Sequence, residues 1–177
     1  MSVRRLALCL ALVLFAVPSV AGDAPSRVAN DFYAIYSSFH SSVGIPIAVD
    51  RAKYAPYISP AFEKLLADAA AAERDFAKRN KGSPPLIEGD LFTSMFEGAT
   101  KYKVGACKEQ DAHASCNIDL TYDGGKDAPV HWTDTLYLTK TGSGWRVDDI
   151  AYGASWAFAN QGRLTEVLRQ TIADSGG

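Results

Sequence analysis

Apolar side chains recur every three or four residues in several segments, which is the spacing of one face of an α-helix. The clearest start is at Ser59 and Pro60, where a serine N-cap precedes a proline at the first helical position. The pattern predicts long helices over 26–42 and 59–80, a short helical turn over 50–54 and a last helix over 163–173.

From Asp90 onward the period changes to an alternation of apolar and polar side chains, which predicts β-strands with one dry face. The strongest segments are 102–106, 118–122, 132–139 and 145–152. A polar loop over 108–115 joins the first two, and glycine-containing turns join the others. Helices followed by hairpin-linked strands predict an α+β fold. We expect one domain over 22–177, with N-terminal helices packed on a curved antiparallel meander sheet and a C-terminal helix.

The first 21 residues differ from the rest of the chain. Arg4 and Arg5 precede a run of twelve apolar residues, which is too short for a membrane helix of about 20 residues. Small residues then lead up to Ala21. This pattern predicts a secretory signal peptide that is cleaved between Ala21 and Gly22, and hence a periplasmic or secreted protein.

Removal of this leader would leave two cysteines, Cys107 and Cys116. Eight residues separate them, whereas redox and zinc pairs prefer a spacing of two, so a structural disulfide is favoured over those alternatives. Closing a loop of about ten residues should stabilise the fold by about 2.7 kcal/mol. If the two cysteines lie opposite each other, the apolar faces of the strands match only with a one-residue bulge, which we place near Gly105.

Charge limits the kinds of partner. The chain has 18 basic and 20 acidic residues, and loss of the leader's two arginines changes the formal net charge from −2 to about −4. Nucleic acids and anionic membranes select basic surfaces, so neither is expected as a partner. No second long apolar run predicts a membrane span after residue 21. His40, His113 and His131 show no metal-ligand spacing, and no metal or cofactor is expected.

Four short motifs carry a family resemblance. They are Phe32-Tyr33, the segments 57–62 and 86–90, and the strand 145–152. With them the chain resembles the exported bacterial proteins grouped as domain of unknown function 3828, in the nuclear transport factor 2-like superfamily. The resemblance implies a cone-like fold with a pocket between sheet and helices. It implies no activity, because the superfamily includes enzymes, binding modules and scaffolds.

Ketosteroid isomerase and polyketide cyclases resemble this architecture, and they combine a buried acid with hydrogen-bond donors. Asp134 and Asp149 are the candidate acids here, with Tyr152 among the candidate donors, together with Tyr33, Tyr36 and Tyr102. No motif of those enzymes matches residue by residue, so no catalytic role is carried over. The alternative is that both aspartates are ordinary polar residues on the wetter face of the sheet.

A ligand in the cone pocket is expected to contact Tyr36, Tyr102, Trp132 and Asp134. Trp145 is expected in the core. Trp132 has two interpretations, as a core residue or as a stacking surface at the mouth of the cone. The neighbouring His131 and Asp134 favour a wetter position for it.

These observations favour a binding module over an enzyme. The module would bind a partner protein or a small ligand in the cone pocket; a specific version is an immunity-type inhibitor of a periplasmic toxin. The alternative is a cofactor-free isomerase, lyase or hydrolase with a buried Asp–Tyr pair. A closed cavity with an aspartate beside a tyrosine would favour the enzyme, and an open groove would favour binding. A homodimer through the sheet face is a further possibility.

Overall fold

Helices come first in the chain, strands second and one more helix last. The computed structural model describes residues 24–39, 44–125 and 128–175. The helices in these ranges are α1 (Pro25–Phe39), α2 (Ala48–Tyr54), α3 (Pro60–Arg79) and α4 (Leu164–Asp174). The strands are β1 (Lys101–Gln110), β2 (His113–Tyr122), β3 (Val130–Thr141) and β4 (Gly144–Ala151). The α+β class predicted from the sequence is therefore confirmed.

The helix starts follow from the sequence. Ser59 caps α3 as predicted, because its hydroxyl accepts a hydrogen bond from the N–H of Phe62 at 3.0 Å. The predicted end of the first helix at 40–42, with His40, lies outside the described residues. The same is true of the predicted signal peptide and its cleavage site between Ala21 and Gly22.

The four strands form one antiparallel sheet in the order β1-β2-β3-β4. Its inner face is the one on which α1 packs, and it carries fully buried residues such as Ile118, Leu136 and Ile150. The side chains between them form the outer face, which is rich in serine and threonine. Helices α3 and α4 pack against each other and against β4.

The first hairpin confirms the predicted disulfide and bulge. Cys107 and Cys116 lie directly opposite each other and form a disulfide. The next observed pair along the strands is Val104 and Ile118. The two pairs are three residues apart on β1 but two apart on β2, so the extra residue of the bulge lies between Val104 and Cys107. The predicted loop over 108–115 is wrong in extent. Both strands continue past the disulfide, and the turn is only Asp111 and Ala112.

The edge of the sheet beside β4 is covered by two short segments. The N–H of Ser59 donates to the carbonyl of Val147 at 2.8 Å, and the N–H of Val147 donates to the carbonyl of Tyr57 at 2.8 Å. Arg163 forms a bridge with Ala151 at the other end of the strand. These contacts place the starts of α3 and α4 beside β4, where a side chain of the strand can reach the first turn of either helix.

Candidate functional site

Five consecutive residues before β1, Asp90–Ser94, form a loop that is at most 3% exposed; we call it the buried loop. Loops are normally at the surface because their backbone groups need water. Here each of the five carbonyls accepts a hydrogen bond. Asn160 donates to three of them, at 2.8 and 2.9 Å. Tyr152 and Tyr33 donate to the other two, at 2.8 and 3.1 Å. The buried loop therefore fills space between α1 and the sheet without leaving these carbonyls unpaired.

Asp134 projects from the inner face of β3 and is completely buried. One carboxylate oxygen accepts hydrogen bonds from the hydroxyl of Ser94 and the N–H of Gly153, the other from the N–H of Ser94 and the indole of Trp132. Burial raises the pKa of this carboxyl, and the hydrogen bonds partly oppose that shift. The interpretation of Asp134 as a polar residue on the wetter face is wrong. The two bonds from Ser94 hold the buried loop against the sheet, and the bond from Gly153 holds the segment after β4.

The tyrosines expected to assist catalysis or to contact a ligand are engaged with the backbone. Tyr33 and Tyr152 donate to carbonyls of the buried loop, as described above. The hydroxyl of Tyr36 accepts a hydrogen bond from the N–H of Ala99 at 2.7 Å. The hydroxyl of Tyr102 donates to the carbonyl of Asn30 at 3.4 Å. Tyr36 is 1% exposed, so a ligand could reach it only after the core opens. Their predicted contact with a ligand stays a prediction.

Trp132 lies in the core rather than in the wetter position expected from its neighbours. It is 7% exposed, and its indole packs edge-on against Trp156 with 5.6 Å between ring centroids. Its N–H donates to Asp134 at 3.2 Å, which explains why a carboxylate two residues away does not indicate solvent. Trp145 is 4% exposed, as predicted for a core residue.

The buried loop also contains an acid that sequence reasoning missed. Asp90 is 2% exposed, and burial raises the pKa of its carboxyl to about 7. The hydroxyl of Tyr36 is a hydrogen-bonding neighbour of this carboxyl. A carboxyl that titrates near neutrality beside a tyrosine is the kind of pair a proton-transfer enzyme uses. No local pattern in the sequence indicates it, since only the tertiary fold turns the loop inward.

Asp149 lies on the outer face, where it acts as a cap for α4. Its carboxylate accepts hydrogen bonds from the N–H and the hydroxyl of Thr165, both at 3.0 Å, and forms an ion pair with Arg163, also at 3.0 Å. A fourth bond comes from the N–H of Ile150 at 2.8 Å. A negative charge at a helix N-terminus is stabilising because the first N–H groups have no partner within the helix. Asp149 is therefore buried by the helix it holds.

An open groove lies beside Asp149, between the outer face and the first two turns of α4. It has a volume of about 440 Å³ and adjoins a smaller hollow of about 240 Å³ at the β1–β2 turn. Two rows of paired residues cross the sheet here: Lys108–Ser115–Tyr137–Asp149 and Gln110–His113–Thr139–Arg146. Each row spans about 14 Å, from three inter-strand spacings. Tyr137 is central to the floor, with the guanidinium of Arg163 4.0 Å from its ring centroid. We call this the Tyr137 groove.

The charged side chains that line the Tyr137 groove differ in the partners that they have. Of its acids, only Asp149 has an ion pair, with Arg163. Asp148 accepts a hydrogen bond from the hydroxyl of Ser59 at 2.5 Å, and Glu166 accepts one from the N–H of Arg163 at 3.2 Å. Among the described residues, neither Lys108 nor Arg169 has a carboxylate within 4.0 Å. The side chain of Arg169 donates a hydrogen bond to the hydroxyl of Thr165. Two cationic donors of the groove, Lys108 and Arg169, are therefore available to a ligand.

The described residues contain neither a metal-binding cluster nor a membrane-spanning helix. Within the three described ranges, no three His, Cys, Asp or Glu side chains come together as a metal-binding group. His113 lines the Tyr137 groove, and His131 contacts the hydroxyl of Thr121 at 2.9 Å. No helix among the described residues is long and apolar enough to cross a membrane.

Comparison of the chain with models of known protein families gives no match, and comparison with curated proteins gives none either. The site must therefore be interpreted from its own geometry.

Proposed function

We propose that the protein is an exported, non-enzymatic binding module that takes a small ligand with a carboxylate or phosphate group in the Tyr137 groove. The observation that carries this proposal is that two cations of the groove, Lys108 and Arg169, have no carboxylate within 4.0 Å among the described residues. A ligand anion would give Lys108 and Arg169 the partner they lack. Tyr137 and the hydroxyls around it would contact the rest of the ligand.

The wider assignment in this proposal concerns fold family and compartment. The order of helices and strands, the bulged curved sheet and the helix on its inner face support the nuclear transport factor 2-like cone and the resemblance to domain of unknown function 3828. The leader-like sequence and the disulfide between Cys107 and Cys116 support export to the periplasm or outside the cell. In this proposal the binding site lies outside the cone interior, because the buried loop occupies the inner face.

Titration of the labelled protein by NMR tests the groove. We use glucuronate and glucose 1-phosphate as anionic probes and glucose as the neutral counterpart. The anions should shift the amide signals of His113, Tyr137 and Thr165, and the double variant Lys108→Ala/Arg169→Ala should weaken binding at least tenfold, which is about 1.4 kcal/mol. If only one anion binds, carboxylate and phosphate are distinguished.

The matched control is Lys103→Ala, because Lys103 is an exposed lysine on the same face of β1 but faces Asp119, away from the groove. It should bind as the unsubstituted protein does. Equal shifts with glucose, or equal binding by the double variant, would contradict the proposal.

The pair Asp90–Tyr36 favours a second candidate function, a cofactor-free isomerase, lyase or hydrolase. Both residues are almost completely buried, so a substrate would have to enter between α1 and the buried loop. A probe of this candidate is equilenin, a planar phenolic steroid whose fluorescence reports transfer from water into such a site. Binding that Asp90→Asn abolishes while Lys108→Ala leaves it intact would favour the enzyme over the binding module.

A further inference from the structure

A second surface lies at the end of the sheet opposite the Tyr137 groove, in the segment after β4. Phe158 is 96% exposed, the highest exposure among the large apolar residues of the described chain. Its backbone has a φ of 69°, in the left-handed region that bulky residues rarely adopt. Exposure and backbone conformation both disfavour a phenylalanine here. Neither fold stability nor local conformation accounts for it.

The segment that carries Phe158 is braced on both sides. Before it, Trp156 packs against Trp132, and the N–H of Gly153 donates to Asp134 at 2.8 Å. After it, Asn160 is tied to the buried loop by three hydrogen bonds, and the amide of Gln161 donates back to the carbonyl of Ala154 at 3.2 Å. The chain therefore holds an aromatic side chain out in water from a fixed base. A binding anchor presented this way costs little ordering entropy on association.

The surroundings of Phe158 indicate the chemistry of what it would contact. Residues 153–162 contain no charged side chain, and residues 82–100 contain no Lys or Arg. Phe96, at the end of the adjoining loop, is 49% exposed, and its ring lies over Gly89. Glu88 and Glu97 flank these residues in the sequence, and both side chains are exposed. The segment of Phe158 is therefore uncharged, and the charges of the loop to which Asn160 ties it are acidic. An apolar centre with polar surroundings is the composition of a protein–protein contact.

We propose that Phe158 is the anchor of a docking surface for another protein, which receives the ring in an apolar pocket bordered by basic residues. Charge decides among the possible occupants. An anionic membrane would gain nothing from a surface without Lys or Arg in these segments. A second copy of the chain in a symmetric contact would bring like acidic borders together. A basic partner complements the surface. This inference is independent of the Tyr137 groove.

Photocrosslinking in cells that make the full chain tests the proposal. p-Benzoylphenylalanine in place of Phe158 should give a discrete adduct with another protein, whereas the same residue in place of Val49, which is 64% exposed on α2, should not. The captured partner is then purified, and its affinity is measured for the unsubstituted chain. Phe158→Asn should weaken binding at least about 30-fold, the size of a hot-spot residue. Glu97→Lys should also weaken it, and Val49→Ala should leave it unchanged.

Asparagine is chosen because it tolerates a left-handed backbone, so Phe158→Asn should melt within about 2 °C of the unsubstituted protein. A loss of several degrees would mean that Phe158 stabilises the fold and would overturn the proposal. So would the absence of an adduct, an adduct at twice the mass of the chain, or equal affinity of Phe158→Asn for the captured partner. Flotation with phosphatidylcholine–phosphatidylglycerol vesicles that depends on Phe158 would show a lipid surface instead and would also overturn it.

Discussion

Asp134 and Asp149 lie on neighbouring strands, and both accept four hydrogen bonds, yet they do different work. Asp134 points to the inner face and joins three parts of the chain around the buried loop. Asp149 points to the outer face and holds the first turn of one helix, beside an open groove. The first carboxylate is central to a closed region of the molecule, and the second borders an accessible one.

Burial of an acid in a strand is therefore not by itself a sign of catalysis. At Asp134 all partners are fixed donors of the chain, so the carboxylate has no position left for a substrate. Asp90, whose pKa is about 7, lies in the same closed region and is likewise hydrogen-bonded by Tyr36, Phe92 and Thr93. Ligand binding is simplest at the accessible end, where cationic donors remain without an acidic partner.

Substitution of Asp134 should lower the free energy of unfolding more than any other substitution proposed below. Asp134→Ala leaves three buried donors, the N–H and hydroxyl of Ser94 and the indole of Trp132, without this acceptor. Each costs about 1–3 kcal/mol, so the free energy of unfolding should fall by about 5 kcal/mol. Urea denaturation of the purified variant measures this. If the variant does not fold, Ser94→Ala, which removes only the hydroxyl, should lose about 1–3 kcal/mol. Asp119→Ala, an exposed acid on the outer face, is the control and should change stability by under about 1 kcal/mol.

The next effect in size is the pH dependence that Asp90 gives to the free energy of unfolding. The pKa of its carboxyl is about 7 in the folded state, above the ordinary value of 3.8, so the folded protein favours the protonated form. Its contribution to stability is therefore fully present below pH 4 and is lost as the pH rises to about 7, by about 4 kcal/mol at 1.36 kcal/mol per pKa unit. Asp90→Asn should remove this dependence and exceed the unsubstituted protein in stability at pH 8. Denaturation curves from pH 4 to pH 8 measure it.

A surface acid provides the control of opposite sign. The hydrogen bond and ion pair with Lys101 lower the pKa of Asp123, so its contribution is lost as the pH falls rather than as it rises. Asp123→Asn should leave the dependence between pH 4 and 7 in place. An unchanged pH profile in Asp90→Asn would show that Asp90 is not the group responsible.

The smallest effect is expected at Asp149. Asp149→Ala removes the cap of α4, which should cost about 1–2 kcal/mol. The loss should be local, so hydrogen exchange should accelerate at the amides of Thr165 and Glu166 and stay unchanged on β2. If the amides around Asp134 exchange faster to the same extent, the two aspartates do not stabilise separate regions, which would contradict this prediction.

The sequence predicted the elements better than the site, for physical reasons. Helical and alternating periods identified all four helices or turns and all four strands, and matching the faces of the first hairpin required the bulge that is observed between Val104 and Cys107. Local patterns report which side of an element is apolar. They do not report that a loop such as Asp90–Ser94 turns inward, because its burial depends on Asn160 and Tyr152, which lie about 60–70 residues further along.

The same distance limited the prediction of the site. Asp134 follows the apolar alternation of Trp132, Leu136 and Leu138, so its inward direction was visible, but its partners were not. The Tyr137 groove combines the β1–β2 turn with α4, and only the register of the sheet brings Lys108 and Tyr137 into one row. The tertiary fold decides such cross-strand sets.

The carbonyls of the buried loop also bear on the order of folding. The donors from Tyr33, Tyr152 and Asn160 lie 59, 61 and 70 residues from the carbonyls they serve. Dehydrating the loop before those donors arrive would leave its backbone unpaired in an apolar environment. The loop is therefore not dehydrated before these donors are present. A chain released before residue 160 has been made lacks the donor of three of the five carbonyls and cannot complete its core.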